Sequence, residues 1–231
     1  MKVSICIPTY DKNGENIEFI KECINSCLFQ DYDDFEIIIS DHSKSETVKN
    51  FIVGYKNDKI KYFKNLNNVG SPAYNTNNAI ENSQGDLIKI MNQDDFFLKS
   101  NTLSNMVNLC HKNSWVTSPF THLNQKTGQF FNNMISKING DGTHLLNAVN
   151  TVGCPSVGIF PKGIVFDTNI TYMIDCELWY QLFLKYGHPK NTDEIGIVIR
   201  VGNHSLTSQW ESESVNMIEN EKNYCKTKYQ L

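Results

Sequence analysis

The order of apolar runs along the 231 residues predicts an α/β protein in three layers, with helices on both faces of a mostly parallel sheet. Two observations carry this. Short runs rich in Val, Ile and Phe alternate with segments whose apolar residues recur at helical spacing, in the order β-α-β-α. The run at 35–40 is also nearly continuous in apolar residues, as a strand covered on both faces is.

The first strand is Val3-Ser4-Ile5-Cys6-Ile7, stopped by Pro8. Ile17, Ile20, Ile24 and Leu28 then fall on one helical face, joined there by Cys23 and Cys27. Phe35 to Ser40 is the second strand, a weaker helix covers about 45–57, and Ile60 to Phe63 is the third strand. Ser71-Pro72 starts a helix: serine can cap free N–H groups, and proline at the first helical position gives up nothing. That helix runs to about Ser83 and Gly85 closes it. Leu87 to Met91 is the fourth strand, and Leu103, Met106, Val107 and Cys110 mark the next helix. Residues 115–170 read as short strands and loops rich in Asn, Thr and Gly. A strong helix follows from Asp175 to Tyr186 with Gly187 as its stop, then a strand at Ile195 to Ile199 and a polar helical tail from Glu211. No linker or repeat interrupts the chain. The expectation is one domain over 1–231, with a nucleotide-binding half (1–112), an acceptor-binding half (113–210) and a C-terminal helical tail (211–231).

Composition narrows the function. Apolar residues make up 40% and charged residues 20%, enough for a core and too apolar for wholesale disorder. The net charge of −4 argues against a nucleic-acid partner, since such binding needs surplus Lys and Arg. Seven scattered cysteines with no C-x-x-C pair disfavour structural zinc and read as small buried hydrophobes in a reducing compartment. No signal peptide or membrane-length apolar run is visible. The expectation is a cytoplasmic protein with peripheral contact at the inner face of the membrane.

In open α/β sheets, ligands sit at the carboxyl ends of strands. Those positions are Pro8-Thr9-Tyr10, Asp41-His42-Ser43 and Asn92-Gln93-Asp94-Asp95. Adjacent carboxylates at Asp94-Asp95 repel each other, and a hard cation such as Mg2+ or Mn2+ relieves that repulsion and neutralises a diphosphate leaving group. The bland alternative is a solvated turn; the position after a buried strand favours the site. G-x-G-x-x-G, the P-loop, G-x-S-x-G and H-E-x-x-H motifs are all absent.

Seven segments in order resemble the large second sequence family of glycosyltransferases, which have the GT-A fold. They are Val3 to Tyr10; Leu28-Phe29-Gln30-Asp31-Tyr32; Phe35 to Asp41; Asn68-Val69-Gly70 with Ala73 and Asn75; Gly85-Asp86-Leu87-Ile88; Gln93-Asp94-Asp95; and, on the acceptor side, Gly153-Cys154-Pro155-Ser156 with Asp175 to Trp179. The resemblance implies an inverting transfer by direct displacement from a nucleotide-diphosphate sugar, a UDP-sugar foremost, to a hydroxyl of a glycan or lipid-linked acceptor. Bacterial surface polysaccharide is the class of product it suggests. It places Pro8, Thr9 and Tyr10 at the base pocket, with Asp41, Asn68, Gly70 and Asn75 on the nucleotide. Asp94 would hold the ribose or share the metal, and Asp95 would coordinate Mn2+ or Mg2+. Asp175 would be the general base, and Pro155, Ser156, Tyr172 and Glu177 would lie toward the acceptor.

Two readings stay open at Asp175: a base that draws the proton from the acceptor hydroxyl, and a cap for its own helix. Glu177 could instead pair with a surface Lys. The chain departs from the family at three places: His42 replaces a second acid, Asn92 stands where an acid is common, and Gly202 takes the place of a metal-binding histidine. His204, two residues on, is the nearest substitute; it reads equally well as a loop histidine. Rival readings are a nucleotidyltransferase, which lacks its Arg-bearing loop here, and a catalytically impaired sugar-nucleotide-binding or scaffold protein.

Overall fold

Strand β1 (Val3–Thr9) lies inside the larger sheet of the computed structural model, which describes residues 1–11, 16–202 and 214–231. It pairs in parallel with β2 (Phe35–Asp41) along its whole length and with β4 (Leu87–Ile90) over Val3 to Cys6. The expected stop at Pro8 therefore comes two residues late. β4 has ended before Pro8 is reached, so the missing N–H of proline leaves no rung of that ladder unmade. β3 (Ile60–Lys64) pairs in parallel with β2. On the other side β9 (Gly158–Pro161) runs antiparallel between β4 and β6 (Val116–Thr117), and β10 (Lys190–Asn191) completes the order β10-β6-β9-β4-β1-β2-β3.

Three helices connect the parallel strands. α1 (Ile17–Leu28) buries Ile20, Cys23, Ile24 and Cys27, the face read from spacing. α2 (Thr47–Val53) is shorter than expected. α3 (Pro72–Glu81) opens as expected, with Ser71 Oγ accepting from Tyr74 N–H at 3.5 Å. A right-handed crossover from β3 back to β4 puts α3 on the face opposite α1 and α2, so both faces are covered. Val3, Ile5, Ile7, Ile37, Ile38 and Ile39 are fully buried, each worth about 1.5–3 kcal/mol relative to exposure. The seven cysteines are free thiols, and all but Cys154 are buried.

A second sheet occupies the irregular region. β5 (Phe96–Phe97), β11 (Ile197–Val201), β7 (Phe120–Asn124) and β8 (Phe130–Met134) lie in that order, behind the acidic loop at the end of β4. The late strand starts two residues later than expected. Gly196 packs so closely on Thr102 that an added Cβ would come within 2.4 Å of it. α4 (Thr102–Leu109) and α5 (Ile174–Tyr186) follow the expected positions, and α6 (Ser214–Tyr229) closes the described chain. Trp179 of α5 is fully buried, stacked on Trp115 at 5.4 Å, so it serves the core. Among the described residues no helix is long and apolar enough to cross a membrane.

Candidate functional site

The carboxyl ends of β1, β2 and β4 meet through side chains that cross-link their loops. Gln93 accepts from Tyr10 N–H at 2.9 Å and donates back to the Tyr10 carbonyl at 3.2 Å, zipping the loop after β4 to the end of β1. Asn75 of α3 donates to the Thr9 carbonyl at 2.9 Å and accepts from Ser40 Oγ at 2.7 Å. Asn75 is itself buried. It braces two strand ends.

Asp41 is likewise an internal brace. Its Oδ1 accepts from Ser43 N–H at 2.8 Å and Thr9 Oγ1 at 3.3 Å, and its Oδ2 from Tyr62 at 2.7 Å and Lys64 at 3.2 Å. With no exposed surface and four donors, this carboxylate meets a base only by giving up one of them. His42 donates its N–H to the Thr9 carbonyl at 2.9 Å. Burial lowers the His42 pKa, so the residue replacing the second acid is held neutral. Pro8 and Tyr10 are half-buried at the rim, while Asn68 and Gly70 form an exposed turn at positive φ (48° and 97°). Asn68 helps to line a cavity of about 470 Å3 beside α3, together with Asn65, Tyr74 and Asn78.

The two acids after β4 have different surroundings. Asp95 is 2% exposed. Its Oδ2 accepts from Ser156 Oγ at 2.6 Å, Asn92 Nδ2 at 3.1 Å and Cys154 Sγ at 3.3 Å, and its Oδ1 from Arg200 N–H at 3.0 Å. Burial and the neighbouring Asp94 carboxylate nevertheless hold its pKa well above the usual range. Asp94 is half-buried. Two residues absent from the sequence reading support the pair. Lys89, fully buried on β4, donates to the Ile90 carbonyl at 2.9 Å and to the Ser156 carbonyl; burial pushes its pKa down to about 8 although Asp95 and nearby thiols favour its charge. Arg200, the sole arginine of the chain, donates from Nε to the Asp94 carbonyl at 3.1 Å, reaches Gln125 at 2.7 Å and pairs with Glu22. The signals were there: one lysine inside an apolar strand, and one arginine where every other cation is lysine.

Pro155 and Ser156 were expected toward the acceptor. Both are buried, and Ser156 links Asp95 to the Asn92 N–H, which it accepts at 2.9 Å. Glu177 is held within the fold. At 1% exposure it accepts from Lys228 at 2.6 Å, Tyr229 at 2.5 Å and Gln181 at 2.7 Å, tying α5 to α6. Tyr172 is half-buried just before α5. His204 lies outside the described residues.

Asp175 occupies the first turn of α5, whose N-cap is Met173, with no side-chain capping bond. Among the described residues no group hydrogen-bonds its carboxylate. Burial, and then the Asp95 charge, push its pKa up to about 7. The Cys154 thiol responds to both carboxylates, and its pKa too is raised, chiefly by burial. Asp95 and Asp175, 80 residues apart in sequence, thus act on one small region.

Among the described residues no group of three or more His, Cys, Asp or Glu side chains is arranged to hold a metal ion. The donor set fits a different kind of site, one in which one or two carboxylates share a cation with substrate phosphates. The Asp94 charge raises the Asp95 pKa, and a cation at the pair would relieve that repulsion.

A family model described as glycosyl transferase family 2 matches residues 4–165. A GalNAc(5)-diNAcBac-PP-undecaprenol beta-1,3-glucosyltransferase of Campylobacter jejuni is 32% identical over 108 residues, covering 46% of this chain and 33% of that protein. Staphylococcus aureus TarS 1–349 in complex with UDP-GlcNAc superposes with a TM-score of 0.65 at 18% identity, over 90% of this chain and 61% of that one. The mannosyltransferase PcManGT of Pyrobaculum calidifontis, in complex with GDP-Man and Mn2+, gives 0.62 at 17% identity, over 90% and 59%. The structural likenesses concern the fold, a GT-A arrangement. The chain spans about a third of the Campylobacter relative and three fifths of the two solved chains.

Proposed function

The chain belongs to glycosyl transferase family 2, and from that membership we propose that it moves a sugar from a nucleotide-diphosphate sugar, a UDP-sugar foremost, to a hydroxyl of a glycan or lipid-linked acceptor, inverting the anomeric centre. The observation that carries the reading is the placement of Asp175: an unbonded carboxylate in the region of the acidic pair, with its pKa near 7. A base works best when its pKa lies near the working pH. Asp175 takes the proton from the acceptor hydroxyl as that oxygen attacks the anomeric carbon, and the nucleoside diphosphate departs on the opposite side.

A divalent cation, Mn2+ or Mg2+, would be held at Asp94 together with the donor's phosphates and would neutralise the leaving group. Asp94 stands half-buried on the loop, while the Asp95 oxygens accept four hydrogen bonds from within the fold. Asp95 fixes the loop, with Arg200 and Ser156 behind it. Tyr10 and the β1 end border the nucleotide side. The undecaprenol-linked substrate in the name of the Campylobacter relative, and the UDP-GlcNAc and Mn2+ in the titles of the fold relatives, support the choice of donor, acceptor class and metal. A lipid-linked acceptor would bring the protein to the membrane surface.

The test is turnover of a panel of UDP-sugars with Mn2+ by wild type and Asp175→Asn. The expected result is release of UDP by the wild type and its loss in the variant with UDP affinity retained. Equal rates in the two proteins would reject Asp175 as the base.

A further inference from the structure

α5 begins at a methionine N-cap, a side chain with no oxygen to offer the amides that open a helix. A carboxylate from elsewhere stands close by. Glu221 of α6, 6% exposed, accepts from Thr171 N–H at 2.7 Å, from Tyr172 N–H at 3.1 Å through each of its oxygens, and from Met173 N–H at 2.8 Å. Three successive main-chain amides thus form an anion-binding hollow occupied by one charged group, and bonds of this kind are about twice as strong as neutral ones. Asp175 lies two residues beyond the last of these amides, within the first helical turn.

The same face of α6 binds α5 a second time, through Glu177 with Lys228 and Tyr229. Lys228 also pairs with Asp167 at 2.7 Å, which Tyr224 joins at 2.9 Å. Glu221, Tyr224 and Lys228 recur at i, i+3 and i+7, one stripe of a helix. The turn ahead of Asp175 is therefore held by a charge 46 residues downstream of that aspartate, through contacts that involve no part of the nucleotide side.

We propose that Glu221 is a positioning residue for the transfer reaction: by gripping the amides of residues 171–173 it sets where α5 starts and so where the Asp175 carboxylate stands. This rests on the reading of Asp175 as the base. A displacement of about 1 Å at a reacting group can cost on the order of a hundredfold in rate. Glu221→Gln keeps the shape and one acceptor oxygen but loses the charge; Glu221→Ala vacates the hollow.

The experiment uses the full chain with UDP-GlcNAc and Mn2+, and Glu221→Gln serves if Glu221→Ala does not fold. Glu221→Gln should lower kcat at least tenfold while the affinity for UDP stays within twofold. In an Asp175→Asn background the same substitution should cost nothing further. A parallel measurement needs no turnover: in protein labelled with 13C-aspartate, the carboxyl resonance missing from Asp175→Asn should shift in Glu221→Gln. An unmoved resonance with wild-type kcat overturns the proposal, as does an equal rate loss in both backgrounds, which marks a general effect on folding. Full activity in Asp175→Asn alone would instead reject the base reading, a distinct result.

Discussion

Arg200 donates its main-chain N–H to Asp95 Oδ1 at 3.0 Å while its side chain holds the Asp94 carbonyl, so strand β11 fixes both members of the acidic pair. The two acids consequently have separable duties, and the variants that distinguish them follow.

Asp94→Asn should abolish the Mn2+ dependence of UDP binding in a calorimetric titration while leaving the urea midpoint near that of the wild type. Asp95→Ala should act first on stability, and on UDP binding only as the loop that carries Asp94 loosens. Removing its carboxylate strands the donors of Ser156, Asn92 and Arg200, and the loss in unfolding free energy should be on the order of 3 kcal/mol. Wild-type stability for Asp95→Ala would show that its hydrogen bonds do not hold the loop.

Arg200→Lys keeps the charge but not the planar fork that reaches the Asp94 carbonyl, Gln125 and Glu22 together. The expected cost is roughly 2 kcal/mol in urea denaturation, with weaker Mn2+-dependent UDP binding as the loop loosens. Unchanged UDP binding at unchanged stability would remove Arg200 from the site's support.

Asp175 gives the pH dependence. With its pKa near 7, the carboxylate able to accept a proton forms as pH rises through neutrality, so kcat should climb between about pH 6 and 8. Stability runs the other way. The folded protein holds this proton at pH values where the unfolded chain has released it, so the group's contribution falls as pH rises from the ordinary carboxyl value of 3.8 toward 7. Asp175→Asn should therefore melt higher than the wild type at pH 8 and level with it at pH 4. A lower melting temperature for the variant at pH 8 would contradict the raised pKa.

Local signals were legible in the sequence and remote ones were not. Ser71-Pro72 announced α3 because a cap and its amides lie within one turn, and the buried face of α1 followed from spacing alone. The alternation of strands and helices through residue 110 pointed to a mostly parallel sheet for the same reason. Whether a carboxylate is open to a ligand depends on what folds over it. Asp95 is closed by Ser156, 61 residues away, and by Arg200, 105 away. Glu177 is claimed by Lys228, at a separation of 51, which matches its alternative reading as a lysine partner. Asp41, Asn75 and Ser156 carry the family pattern, and each also braces neighbouring strand ends or loops from within. A motif reports which residues the site needs, without saying which of them touch the ligand.

The antiparallel strand β9 has a consequence for how the polypeptide matures. Residues 158–161 insert between β4 and β6, so the far flank of β4 stays an unpaired edge until synthesis has passed residue 161. A nascent chain or a truncation ending near residue 112 would display the row Leu87-Ile88-Lys89-Ile90 to any passing strand, an invitation to aggregate. It would also leave the Lys89 ammonium without the Ser156 carbonyl that receives it. Strand β9 and the Ser156 carbonyl thus tie the end of β4 to residues made some seventy positions later.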